Sequence, residues 1–351
     1  MTEGPADRDE WADRFDQQAV ACDGLGSTLY GRLLHLAAYD IRADGPTWTV
    51  MSARADLRFG QAGPLRLVGA AHRLALAGAA PDYAALLPSC GGQAPADDAV
   101  LRSGWLDVVA RHGDELRAGL DREVQTNEVA RAAGLGLAQA HTRFPSARLV
   151  ELGCSGGLNL RLDRFRIDLG DVVLGDPDGA VRLSPDVTGP VGADLRLPDL
   201  GDRIGIDPHP IDATTDDGRL TLLSFVWPDQ SERFARLAAA LDVARQVPAT
   251  LIATDDTAGT LREVLAAEVP TVVHHSIVWQ YIPTAVRWSV TAVIESAGER
   301  ATPAWPLAWI RYEPDEWNRL RAAVWLRTWP GGADRLVAHV DYHGRWLAPA
   351  A

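Results

Sequence analysis

Between positions 151 and 159 the chain reads Glu151-Leu152-Gly153-Cys154-Ser155-Gly156-Gly157-Leu158-Asn159. The short apolar run Arg148–Leu152 has the texture of a strand and carries a carboxylate near its end. The small residues Gly153, Ser155 and Gly157 let the backbone turn tightly and approach a ligand closely. A helical pattern follows through Leu158, Leu162 and Phe165. The first amides of such a helix are unpaired and suit a polar ligand group. Two more carboxylates stand at the ends of later strands. Asp207 follows Arg203–Ile206, where it can accept hydrogen bonds from ribose hydroxyls. Asp255 or its neighbour Asp256 follows Leu251–Ala253, placed either to meet an adenine amino group or to cap the next helix. Ligands of open α/β sheets lie across the carboxyl ends of the strands. Glu151, Gly153, Ser155, Gly157, Asn159, Asp207 and Asp255 are therefore expected to border one crevice.

Other groups could add acid–base chemistry there. His274-His275-Ser276 ends a further strand, Thr271–His275. Successive strand residues point to opposite faces, so at most one of the two histidines should enter the crevice. His275 is the favoured general base, with Tyr281 as the other catalytic candidate. Gln125-Thr126-Asn127-Glu128 is a polar cluster in a stretch, Arg122–Ala140, whose spacing predicts one long helix. Gln125, Asn127 and Glu128 are the candidate substrate-binding residues, or else residues that cap and bridge. Gly153-Cys154-Ser155-Gly156-Gly157 also fits a Gly-x-Ser-x-Gly nucleophile elbow, a less favoured reading because Glu151 suits a cofactor-binding strand end. His339 and His343 have no third ligand nearby, so no metal site is expected. Cys22, Cys90 and Cys154 are too few and too scattered for a disulfide framework.

Two kinds of element must hold these residues. Up to about Phe144 the periodicity is helical. Trp11, Phe15, Ala19 and Cys22 fall on one face, and Tyr30–Tyr39, Pro64–Leu76 and Trp105–Leu120 read similarly. Breaks fall at Asp44-Gly45-Pro46, Pro88–Gly92 and Phe144-Pro145. After Pro145 short apolar strands alternate with helices at Ser231–Ala244 and Thr260–Ala267. That alternation implies a parallel sheet with helices on both faces. The chain closes with strand-like Leu307–Arg311, Leu320–Thr328 and Arg335–Asp341. The last two are joined by Trp329-Pro330-Gly331-Gly332 as an antiparallel hairpin. The expected organisation is an α-helical domain, residues 1–145, followed by an α/β domain, residues 146–351. The long gap before Asp207 implies an insertion around 167–198, where Asp176-Pro177-Asp178-Gly179 suggests a hairpin.

Composition narrows the functions available. The 351 residues are 47% hydrophobic and carry a formal charge of -13. That acidity disfavours nucleic acid and anionic membrane surfaces as partners. No apolar run is long enough to span a membrane, and the acidic start lacks a secretion signal, so the cytoplasm is the expected compartment. All 34 basic residues are arginine. Without lysine there is no Schiff-base nucleophile, hence no pyridoxal phosphate chemistry, and no P-loop.

Segments along most of the chain match a known pattern. They include Val124–Val129, Glu151-Leu152-Gly153 with Gly157-Leu158-Asn159-Leu160, Asp163-Arg164, Gly175-Asp176-Pro177, Trp227-Pro228-Asp229-Gln230, His275-Ser276 with Tyr281-Ile282-Pro283, and Asp341–Trp346. Ser27–Tyr30 and Gly69–Leu76 also fit. In these the sequence resembles an uncharacterised bacterial family, a domain of unknown function. The family's core looks like class I S-adenosylmethionine methyltransferases. The resemblance implies a Rossmann-like methyltransferase sheet, parallel strands closed by an antiparallel hairpin. In that fold the glycine-rich turn holds the amino-acid end of S-adenosylmethionine, although Ser155 stands where a glycine is usual. The function so implied is methyl transfer to a small molecule. Two alternatives stand beside it. One is a cofactor-independent elimination or ring closure that expels an anionic group such as sulfate. The other is a non-catalytic ligand-binding or partner-subunit scaffold. A partner subunit or a homo-oligomer is compatible with all three.

Overall fold

A computed structural model describes residues 7–350. The chain forms two compact units. The first is residues 1–126 with 219–235, and the second is residues 127–218 with 236–351.

The first unit is helical, as its periodicity requires. Helices Arg8–Gly24, Thr28–Arg42, Gly63–Leu76 and Asp98–Arg111 bury Trp11, Phe15, Tyr30, Leu33, Leu34, Leu67 and Trp105 in one core. The stretch expected as Trp105–Leu120 is two helices, Asp98–Arg111 and Gly113–Gly119, which meet at His112-Gly113. The 219–235 segment completes the unit. The Asp229 carboxylate accepts from the Ser27 hydroxyl and the Leu29 backbone N–H, and so caps the Thr28–Arg42 helix.

The second unit is built on a nine-stranded sheet. Its strands are β1 (Ser146–Leu152), β5 (Asp186–Val187), β6 (Asp199–Asp207), β7 (Thr250–Ala253), β8 (Thr271–Ser276), β9 (Leu307–Pro314), β10 (Ala322–Trp329), β11 (Asp334–Val340) and β12 (Trp346–Pro349). The order is β5-β12-β11-β10-β9-β8-β1-β6-β7. From β7 to β9 every neighbour is parallel; β9 to β12 then run as an antiparallel meander. The β10–β11 hairpin is the one expected from its Pro-Gly-Gly turn. The insertion forms a separate small sheet of β2 (Arg166–Asp168), β3 (Val173–Gly175) and β4 (Arg182–Leu183). The hairpin within it turns at Leu169–Val172, whereas Asp176–Gly179 links β3 to β4.

Both sheet faces are covered. Val150, Leu152, Ile206, Val273, Trp309 and Trp329 share a core with Leu261 of helix Thr257–Val264 and with Val290 and Ile294 of helix Thr284–Arg300. On the other face lies helix Ala132–Ala140, buried at all nine positions. Gly134 lets it approach Tyr312 and Val324, where an added Cβ would lie 3.0 and 3.2 Å from their side chains. No helix among the described residues is long and apolar enough to cross a membrane.

Two local expectations fail here. Residues 122–128 are not helical; a 3-10 turn, Val129–Arg131, leads into the Ala132–Ala140 helix. The polar side chains compete for the backbone, and Glu128 accepts from the Ala130 N–H. After the glycine-rich turn the chain forms a 3-10 helix, Leu158–Arg164, and Phe165 is already extended.

Candidate active site at the carboxyl ends of β1 and β8

From β1 the chain continues to β6 on one side, and β8 enters on the other side of β1. The strand order therefore reverses between β1 and β8, the place where open α/β sheets form their crevice. Two residues other than glycine hold positive φ at these strand ends: Ser155 at 51° after β1 and Ile277 at 51° after β8. For a β-branched residue such as Ile277 this is a strained conformation, of a kind concentrated at functional sites.

The turn is tied to the protein itself. Gly153 N donates to the Ile206 carbonyl at 2.8 Å and Gly157 N to Cys154 at 2.7 Å. Ser155 N donates to Asp207 Oδ2 at 2.9 Å, and His209 N donates to Asp207 Oδ1 at the same distance. Ile211 N reaches back to the Ser155 carbonyl at 3.1 Å. Side chains pack against the two glycines. A Cβ on Gly153 would fall 2.4 Å from Val278, and one on Gly157 would fall 2.8 Å from Leu251. Cys154 is buried beneath the turn, and burial pushes its thiol well above the usual range. Asp255 is exposed, and its neighbour Asp256 caps the next helix through Gly259 N.

These contacts test the fit of an adenosyl cofactor. It would need the turn amides, and it would need Asp207 for its ribose hydroxyls. The Gly153, Ser155 and Gly157 amides are already donated, and each Asp207 oxygen already accepts from a backbone N–H. The helix expected to present further amides is a seven-residue 3-10 segment. The turn's own contacts therefore compete with that group for the Gly153, Ser155 and Gly157 amides and for one lone pair on each Asp207 oxygen.

A different set of polar atoms lacks partners. Glu151 and His274 are in register on adjacent strands, so they share a face. They are 4% and 0% exposed, and Glu151 Oε1 lies 3.8 Å from His274 Nε2, too long for a direct hydrogen bond. Glu151 Oε2 and both ring nitrogens of His274 have no hydrogen-bond partner. Asn159 is likewise buried; its Nδ2 donates to the Glu128 carbonyl at 3.4 Å, while its Oδ1 is unpaired. Arg161, 3% exposed, donates to the Gly157 and Val247 carbonyls, and Glu151 is the acidic group that acts on it most. Burial lowers its pKa, so a negative group nearby would be welcome.

His275 occupies the opposite face. Its Nδ1 lies 2.6 Å from Glu313 Oε1, and its ring stacks on Trp279 at 4.4 Å. It is 0% exposed, and the same carboxylate accepts from Val278 N and Trp279 N. This is a wedge that fixes the loop after β8. Tyr281 is 74% exposed. Of the two histidines, the one facing Glu151 is therefore His274. Glu128 is buried, with His343 Nδ1 and Arg236 Nη1 at 3.5 and 3.9 Å from its oxygens. Gln125 and Asn127 are half-buried in the preceding coil. Glu313 carried no sequence signal, because only its place on β9 beside β8 brings it to His275. A cavity of about 450 Å³ opens at the other end of β6, lined by Arg164, Arg196 and Asp199, and does not involve the strand-end residues.

Residues 12–348 match the family described as "Uncharacterized protein conserved in bacteria (DUF2332)", and the chain belongs to that family. A search of curated proteins gives no match.

Proposed function

We propose that the chain is an enzyme on a methyltransferase-like Rossmann fold that performs acid–base chemistry on a small polar molecule without S-adenosylmethionine. The parallel order β7-β6-β1-β8-β9, with Glu151 and Asp207 at strand ends, supports the fold reading. The observation that carries the activity is the set of buried, unpartnered atoms on Glu151, His274 and Asn159. Buried polar groups left unbonded are costly, so a site that retains four such atoms suits a ligand that bonds them.

The chemistry follows from the residue types. A substrate group between Glu151 Oε1 and His274 Nε2 would hydrogen-bond to both. One would withdraw a proton while the other returns one. Arg161 would stabilise negative charge that develops on a departing sulfate or phosphate. Elimination or ring closure needs only these parts.

Titration calorimetry with S-adenosylmethionine separates this reading from methyl transfer. No binding heat from folded protein is expected; stoichiometric binding would restore the methyl donor. Incubation with a metabolite extract lacking that cofactor should deplete a substrate and yield its product less the anionic group. Glu151→Gln should abolish that conversion. An unchanged rate in Glu151→Gln excludes the site.

A further inference from the structure

The first unit holds a serine and a histidine in direct contact. His72, in helix Gly63–Leu76, is fully buried. Its Nδ1 lies 3.0 Å from the Ser224 carbonyl oxygen. A carbonyl only accepts, so Nδ1 carries the proton and Nε2 presents a lone pair. Ser89 Oγ lies 2.7 Å from that Nε2. The hydroxyl therefore donates to the imidazole and keeps its own lone pairs for an electrophile. Ser89 is half-buried in the 3-10 turn Pro88–Cys90, and its backbone N–H donates to the Pro228 carbonyl at 3.0 Å. Both partners are thus fixed from behind. Burial keeps the imidazole neutral, with its pKa lowered to about 4.

We propose that Ser89 and His72 are a nucleophile–base pair that accepts an acyl group from an activated small-molecule ester. In the step, Ser89 Oγ bonds to the acyl carbon while its proton passes to His72 Nε2. The bond from the acyl carbon to the leaving oxygen or sulfur breaks, and the leaving group takes that proton. Water repeats the sequence and releases the acid, restoring Ser89.

The surroundings set the substrate class. The Ser224 carbonyl orients the imidazole as a carboxylate does in a catalytic triad, but it brings no negative charge. The amides of Cys90, Gly91 and Gly92 all donate within their own turn, to Leu87, Pro88 and Leu87. The turn thus offers no backbone oxyanion site. Good leaving groups, as in aryl esters and thioesters, therefore suit this turn better than peptides do.

A fluorophosphonate tests the pair without knowledge of the natural ester. Attack forms an Oγ–P bond and expels fluoride, and His72 takes the proton. The intact chain is labelled, digested and analysed by mass spectrometry. One adduct is expected, on Ser89, and none in Ser89→Ala. His72→Asn keeps a donor for the Ser224 carbonyl but lacks Nε2, and it should label at least ~100-fold more slowly. Absence of a Ser89 adduct in the native chain, or undiminished labelling of folded His72→Asn, overturns the proposal. If His72→Asn does not fold, Ser89→Cys decides. Its introduced thiol should react with iodoacetamide faster than Cys90 of the same chain, and equal rates would sink the idea.

Discussion

His72 shows how one buried side chain links packing to pH. Desolvation lowers its pKa from 6.5 to about 4, and backbone interactions at Ser224 and Val226 offset this only in part. The unfolded chain takes up a proton near the upper value and the folded chain only near the lower one. Stability from this residue is therefore complete above the unfolded value and is lost as pH falls through the interval. The loss by pH 5 is about 2 kcal/mol. Urea titrations at pH 7.5 and pH 5 should show that difference in the native chain and a smaller one in His72→Asn. Equal slopes would show that His72 does not titrate in this way. Ser155 makes a second case. A serine at φ 51° carries a left-handed penalty that glycine escapes. Ser155→Gly should raise stability by roughly 1 kcal/mol. A lower melting temperature would show that the serine hydroxyl outweighs its backbone strain.

At the scale of elements, the sequence was most legible where periodicity is strong. The apolar spacing of Trp11, Phe15, Ala19 and Cys22 and the short runs ending at Leu152 and His275 marked their helix and strands. The Trp329–Gly332 turn marked the closing hairpin. Legibility failed where long-range bonds override local preference. Nothing near Gly153–Gly157 announced that Asp207, 52 positions beyond Ser155, would take the turn's amide. Nor did Thr284–Arg300 stand out, since its apolar positions Val290, Val293, Ile294 and Ala297 matter only through the sheet they cover. That helix lies close to the sheet at Gly298, where an added Cβ would fall 2.5 Å from the Trp329 ring. Gly298→Ala must displace the indole, at a cost of about 1–3 kcal/mol. Thermal denaturation should show the drop, and an unshifted melting point would mean that Trp329 moves freely.

At the scale of the whole molecule, the first unit is discontinuous in sequence. Its second piece, residues 219–235, arrives after part of the sheet has been laid down. That piece is bound by specific contacts. Asp229 holds Ser27 and Leu29, the Pro228 carbonyl accepts from Ser89 N, and the Trp227 ring lies 6.5 Å from that of Tyr30. The coil around Arg122, by contrast, is exposed, and in a chain without lysine it offers trypsin one of its accessible sites. Cutting there severs residues 1–122 from the rest of the backbone but leaves the 219–235 contacts intact. The nicked protein should therefore elute from a sizing column as one particle, and the two fragments should separate only in denaturant. Asp229→Ala leaves Ser27, the N-cap residue of the Thr28–Arg42 helix, and Leu29 N without their shared acceptor, a loss of about 1 kcal/mol. It should lower the urea concentration at which the nicked fragments part. Spontaneous separation of the native fragments in buffer would show that these contacts do not hold the first unit together.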